Sequence, residues 1–337
     1  MSPMTFSALP LPRPRWERVL VTGGAGFLGS HLCERLLDGG IDVDCVDDLS
    51  TGSRDNVRHL TGRPGFRVLE LDVTGPGLDA LAGPYDLVLH FAGPAAPSDP
   101  GYRPLIALDT ARLGTRNALT LAERSGARFL LGSACQVYGD PEEHPQSEEY
   151  CGHLDPVGPR SAHDEATRYA EALTTAYATA HCADAGIVRV FNTYGPRMRA
   201  DGGRAVPTFV RQALAGQPLT IEGDGRQTRS FCYVDDVVDG VLRVAAGRSV
   251  RPVNIGGDEE TTVLDLARRV LALTGARSTV RFGPARPHDP ARRRPVTHYV
   301  REIFGWSPGV GLDDGLKRTI AHFAEQPPPP GRTEPLR

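Results

Sequence analysis

The feature that most restricts this chain is a set of three glycines spaced three apart, Gly23, Gly26 and Gly29, set between a β-branched apolar run and an amphipathic one. Arg18 to Thr22 reads as a buried strand and Gly29 to Asp38 as a helix. Glycines at such a junction let the backbone turn sharply and approach a pyrophosphate, which the free N–H groups and dipole at a helix N-terminus attract. The loop residues Gly23, Gly26, Phe27, Leu28 and Gly29 are therefore expected to cradle a dinucleotide. Asp47 ends the next apolar run, 18 residues after Gly29. A carboxylate at that place accepts hydrogen bonds from ribose hydroxyls and repels a 2′-phosphate, so the expected cofactor is NAD rather than NADP. Asp72, just after the third strand, is expected at the adenine.

The same alternation continues. Strand-like runs at Asp42 to Asp47, Arg67 to Leu71, Leu87 to Ala92, Arg128 to Ser133 and Gly186 to Phe191 are separated by amphipathic stretches, notably Leu105 to Ser125 and Ser161 to Ala183. This spacing predicts an α/β fold, a Rossmann-type doubly wound parallel sheet with helices on both faces. Shorter elements follow, such as Pro218 to Glu222 and Thr262 to Thr274. They predict a smaller C-terminal substrate-binding lobe. The expected division is residues 17–194 plus 233–256 for the dinucleotide domain and 195–232 plus 257–325 for the smaller lobe. Proline-rich tails at 1–16 and 326–337 are expected to be disordered.

With 337 residues and a formal charge of −3, the chain has no electrostatic reason to seek nucleic acid or an anionic membrane. No apolar run approaches the ~20 residues of a membrane span. Six cysteines are scattered without a C-x-x-C pair, so no metal site is expected and reduced thiols in a cytoplasmic protein are the default. Lysine is nearly missing, with Lys317 alone, and arginine carries the basic role.

Further motifs carry a resemblance. They are His90-Phe-Ala92-Gly, Val137-Tyr138-Gly-Asp-Pro, Phe191-Asn192-Thr-Tyr-Gly-Pro-Arg-Met and Gly223-Asp-Gly-Arg-Gln-Thr-Arg229-Ser-Phe-Cys-Tyr233. Together with the glycine loop they resemble the extended short-chain dehydrogenase/reductases, the NAD-dependent epimerase/dehydratase family, and within it the UDP-glucuronate decarboxylases. The likeness runs from about Val19 to Ala324. It implies NAD at the glycine loop, with Ala92 beside it, and a UDP-linked nucleotide sugar. Asn192, Arg229 and Arg293 match groups that hold its diphosphate, Leu219 and Ile221 match the edge that reads uracil, and Tyr233 matches a residue in the same cleft; Arg160, a further candidate substrate contact, is expected with Asp164, Glu165 and Tyr138 around a polar mouth. It also implies a homodimer through helices 105–125 and 161–183.

The resemblance fails at the catalytic centre. A tyrosine four residues before a lysine is implied on the second of those helices, the lysine lowering a phenol pKa from ~10 toward neutrality. His163 and Thr167 stand there instead. Ala134, Gln136 and Ala111 replace the implied threonine, glutamate and asparagine. His163, with an ordinary pKa near 6.5, is a candidate base that would titrate through the neutral range. Cys135, Tyr138 and Glu165 are the other candidate catalytic residues. Three readings stay open: an enzyme with a re-purposed site, a catalytically silent binding partner, and an ordinary decarboxylase that uses His163.

Overall fold

Apolar residues on consecutive positions of a strand point to opposite faces, so a strand that is apolar throughout must be covered on both. In the computed structural model, which describes residues 16–93, 97–99, 101–285 and 290–326, the strands are covered in that way. Val19 and Val21 join one core cluster while Leu20 between them joins another, and Leu87, Val88 and Leu89 alternate likewise.

Six strands carry the main sheet: β1 (Arg18–Thr22), β2 (Asp42–Asp47), β3 (Phe66–Glu70), β4 (Leu87–His90), β5 (Arg128–Ala134) and β6 (Ala185–Val190). A short seventh, Val253–Ile255, pairs with β6. The spatial order is Val253–Ile255, β6, β5, β4, β1, β2, β3, and all pairs are parallel. The order reverses between β1 and β4. In sheets of this kind ligands bind outside the strand C-termini at that reversal.

Helices Phe27–Asp38 and Val234–Ala246 cover one face, and Thr115–Ser125 and Ser161–His181 the other. The helix expected over 105–125 is not regular. Pro104–Asp109 passes through a π-helical turn at Thr110–Gly114 before Thr115–Ser125. Gly114 is needed there, because a Cβ on it would meet Val73 Cγ2 at 2.7 Å.

The smaller lobe pairs Leu219–Glu222 with Val280–Gly283, and sets Thr228–Ser230 between Glu260–Thr262 and Arg292–Arg293. Helices Ala205–Leu214 and Val263–Thr274 pack on it. The predicted tails lie outside the described residues except for Trp16, which packs against the core, and Gln326. Among the described residues no helix is long and apolar enough to cross a membrane.

Candidate active site

One cleft runs from the glycine loop, past the ends of β5 and β6, to the smaller lobe, with a volume of about 550 Å³. Gly23 turns the chain at φ 68°, and Gly26 N–H donates to Gly23 O at 3.1 Å. A Cβ at Gly23 would meet Phe91 O at 2.6 Å, and one at Gly29 would meet Gly23 O at 2.0 Å. Side chains are thus excluded where a pyrophosphate needs bare backbone. Phe27 and Leu28 line the cleft as the helix opens.

Asp47 ends β2 directly beneath this loop. Its carboxylate accepts from Ala25 N at 3.0 Å and Leu49 N at 2.9 Å. Burial pushes its pKa up, and those N–H groups oppose the shift. Asp47 itself does not line the cleft; its carboxylate is buried beneath the loop and braces it. Ala92 N donates to Thr22 Oγ1 at 3.3 Å at the mouth of the same loop. Asp72 also lies outside the cleft lining, and its carboxylate caps a turn instead, accepting from Thr74 N and Oγ1, both at 2.8 Å.

At the other end Asn192, Arg229, Arg293, Arg160 and Ile221 all line the cleft. Asn192 Nδ2 and Arg293 Nε are buried without a hydrogen-bond partner, and Arg293 otherwise donates to Gly139 O at 3.1 Å. Such atoms are costly unless something fills their bonding capacity. Leu219 and Tyr233 do not reach the cleft: Leu219 is fully buried and its N–H donates to Thr279 O at 2.8 Å, while Tyr233 packs against Tyr194 under Arg318. Arg199, Arg204, Thr220, Glu222 and Gln227 line the cleft and were missed. Arg204 follows a Gly-Gly pair just before a helix, the signal that could have found it.

The candidate catalytic residues separate. Cys135 and Gln136 line the cleft, with Cys135 Sγ 3.7 Å from Gln136 Oε1. Tyr138 is wholly buried elsewhere. Its hydroxyl donates to Asn254 Oδ1 at 2.8 Å and accepts from Arg189 at 3.0 Å, inside a network in which Arg189 grips Glu171 at 2.7 Å and Glu171 accepts from Ser133 at 2.5 Å. Burial pushes its phenol up to about 12. Glu165 sits 3.9 Å from Arg168 on the helix surface and does not line the cleft. Of the polar residues expected around the mouth, Arg160 alone lines it.

His163 lies just behind the wall, 6% exposed, edge-on to Tyr102 with ring centroids 6.3 Å apart and with Nδ1 unpartnered. Burial first, then Arg160, Arg204 and Arg293, lower its pKa to about 3. The imidazole is therefore neutral through the whole working range, and the expected titration near neutrality does not occur in this state. Thr167 brings no positive charge to a neighbour, and its hydroxyl proton is given back to His163 O at 3.0 Å. Among the described residues no cluster of His, Cys, Asp and Glu could hold a metal.

The family model for the NAD dependent epimerase/dehydratase family matches residues 19–256. The chain belongs to that family. NAD is its cofactor, and the residues at the glycine loop fit it. Relatives include UDP-glucuronic acid decarboxylase 1 of Danio rerio, 43% identical over 310 residues that span 92% of this chain and 73% of that one. UDP-glucuronic acid decarboxylase 4 of Arabidopsis thaliana is 44% identical over 309 residues, 92% and 69% of the two chains. Among solved structures, the UDP-glucuronic acid 4-epimerase of Bacillus cereus, in complex with UDP-glucuronic acid and NAD, matches at TM-score 0.81 and 28% identity, covering 90% and 98%. The dTDP-glucose 4,6-dehydratase DesIV of Streptomyces venezuelae, with NAD bound, matches at 0.84 and 29%, covering 91% and 97%. The chain is thus a UDP-glucuronate decarboxylase-like member of a family of nucleotide-sugar enzymes.

Proposed function

We propose that this protein is an NAD-dependent enzyme acting on a UDP-linked sugar through a re-purposed catalytic centre. The observation that carries the reading is one cleft lined by the glycine loop, by Asn192, Arg229 and Arg293, and between them by Cys135, Gln136 and Arg160. Gly23, Gly26, Gly29 and Asp47 hold the dinucleotide, and NAD supplies the hydride chemistry. The arginine forks and the Asn192 amide hold the diphosphate, and Ile221 with its strand edge faces the uracil. The Cys135 thiol, the Gln136 amide and the Arg160 guanidinium face the sugar. None of the three is a carboxylate or phenol, so removal of a proton from a sugar hydroxyl has lost the family's base. Decarboxylation of UDP-glucuronate is accordingly expected to be slow or absent.

Incubation with a panel of UDP-sugars, followed by mass spectrometry of sugar and cofactor, tests this. A converted sugar supports the re-purposed enzyme. Unchanged sugars beside bound NAD would favour a silent binding partner, the reading that neutral His163 and self-bonded Thr167 also support. UDP-xylose formed from UDP-glucuronate at ordinary enzyme rates of about 1–10³ per second would return the protein to its relatives' reaction.

The quaternary reading is a homodimer. Leu105, Ile106, Leu108 and Tyr169 are 75%, 52%, 40% and 46% exposed on two packed helices, an apolar face that a second copy would cover. The compartment proposed is the cytoplasm, where its free thiols stay reduced.

A further inference from the structure

We propose that His322, near the C-terminal end of helix Leu312–Glu325, is a positioning residue for the substrate end of the cleft: its imidazole holds Arg197 in a left-handed turn and so sets the path of the segment 198–204. For what that segment binds, this rests on the reading of the cleft as a nucleotide-sugar site.

The segment leads from the short strand Thr193–Tyr194 to the helix Ala205–Leu214. Met198, Arg199, Gly202, Gly203 and Arg204 along it line the cleft. It is pinned from two sides. From one side Ser98 Oγ donates to Gly202 O at 3.2 Å, and Asp99 pairs with Arg199 at 3.0 Å. On the other, the chain enters through Arg197, whose φ of 65° lies where a Cβ is costly. A residue persists in such a conformation only when its surroundings over-determine it.

Three side chains do so. His31 Nε2 lies 3.1 Å from Pro196 O and Glu34 pairs with the Arg197 guanidinium, both from helix Phe27–Asp38. The third is His322, whose Nε2 accepts from Arg197 N at 3.0 Å. Of the three, His322 alone engages the backbone N–H of the strained residue. An N–H can only donate, so Nε2 is unprotonated and the ring proton sits on Nδ1. Gln326 Nε2, 2.8 Å away, meets the same nitrogen. Burial first, and then Arg197, lower the pKa of the ring while Glu325 opposes them, so the imidazole is neutral and able to accept at neutral pH.

Without that acceptor, Arg197 loses the bond that offsets its strain, and its backbone relaxes toward negative φ. Rotation at Arg197 redirects the chain that follows as far as the next fixed point, which moves Met198 and the cleft-lining residues after it. The glycine loop and Asp47 are carried by other elements and keep their places. The substrate end of the cleft is therefore disturbed and the cofactor end is not.

Two variants and two measurements test the proposal. His322 is partly exposed, so neither variant threatens the fold. His322→Phe keeps a ring against Phe323, offers no acceptor, and keeps water from the Arg197 N–H. His322→Gln returns an acceptor oxygen near the Nε2 position. In calorimetry, UDP-glucose is expected to bind about fivefold or more weakly to His322→Phe and within about twofold of the parent to His322→Gln, with NAD affinity unchanged in both. The second measurement, hydrogen exchange read by mass spectrometry, needs no ligand. The peptide covering 196–204 is expected to exchange about fivefold or more faster in His322→Phe and at the parent rate in His322→Gln, while β1 and β2 exchange as in the parent. Unchanged exchange of 196–204 in His322→Phe overturns the proposal. Equal loss of protection in both variants, or loss spread through the whole chain, also overturns it, because either marks a packing role without the specific bond. Failure of UDP-glucose to bind even the parent counts against the nucleotide-sugar reading alone, and the exchange measurement then decides this proposal by itself.

Discussion

At the scale of single residues, two groups that look alike in sequence separate by what surrounds them. Asp47 ends one strand and Asp72 follows another, yet only Asp47 is drawn under the glycine loop, where it also holds the loop's shape through Ala25 and Leu49. Asp47→Ala should weaken NAD by about tenfold or more, the loss of a charge-assisted hydrogen bond of about 1.5–3 kcal/mol, with calorimetry as the check. A preference for NADP in the parent protein would contradict the role given to this acid. Tyr138 illustrates the reverse case. Because its hydroxyl completes a buried network with Arg189 and Asn254, Tyr138→Phe should cost about 1–3 kcal/mol of stability and leave NAD affinity unchanged. A melt and a titration on the same sample decide it. His163→Tyr with Thr167→Lys should not restore fast decarboxylation, since Ala111, Ala134 and Gln136 still lack the implied groups. Residues acting as a unit are not repaired pairwise.

At the scale of elements, the helix Ser161–His181 does two jobs with two faces. Its inner side, through Ala166, Ala170, Glu171 and Thr174, packs on β5 and β6, and small residues there let helix and sheet approach closely. Tyr169 faces outward beside Leu105, Ile106 and Leu108 of the neighbouring helix. If that face is the dimer contact, Leu105→Glu with Ile106→Lys should give a monomer in sedimentation without loss of helical signal, because both positions are exposed and contribute little to the fold of one chain. A parent protein that already sediments as a monomer would remove the dimer reading. The π-helical turn at Thr110–Gly114 was hidden in the sequence, where the stretch reads as one amphipathic helix. Its cause is tertiary: Gly114 lies against Val73 from the connection after β3.

At the scale of the whole molecule, three buried histidines set the response to acid. His31 and His90 are held at about 4 and His163 at about 3, burial being the first cause in each. Their folded-state pKa values lie below the unfolded value of about 6.5, so the unfolded chain binds more protons between those limits. Stability is therefore full above about pH 6.5 and is lost as pH falls from there toward about 4. Urea midpoints taken stepwise from neutral to mildly acid pH should fall steeply, and His163→Gln should flatten part of that slope. A midpoint independent of pH over this window would show that these rings are not buried as described. Saturating UDP should raise the melting temperature by mass action, and Arg229→Ala should remove most of that rise.

The chain by itself determined the architecture and the cofactor end of the site. Strand periodicity, glycine spacing and the acid at Asp47 are local signals, and each is decided within a few residues of sequence, so the doubly wound sheet and the bare glycine turn at its ligand-binding edge are legible in the chain alone. That Asn192, Arg229 and Arg293 line the cleft was legible through their motifs. What tertiary structure decided was exposure and electrostatic company. Sequence places Tyr138, Glu165, His163 and Cys135 near one another along the fold, but only packing puts the Tyr138 hydroxyl into a closed network, turns Glu165 to the surface, and leaves Cys135 facing the cleft. Burial, and then the field of Arg160, Arg204 and Arg293, residues far apart in the chain, leave the neutral His163 ring too weak a base for ready proton removal. Charges separated by scores of residues act on one atom only after folding has brought them to it, and no spacing rule within the sequence carries that information.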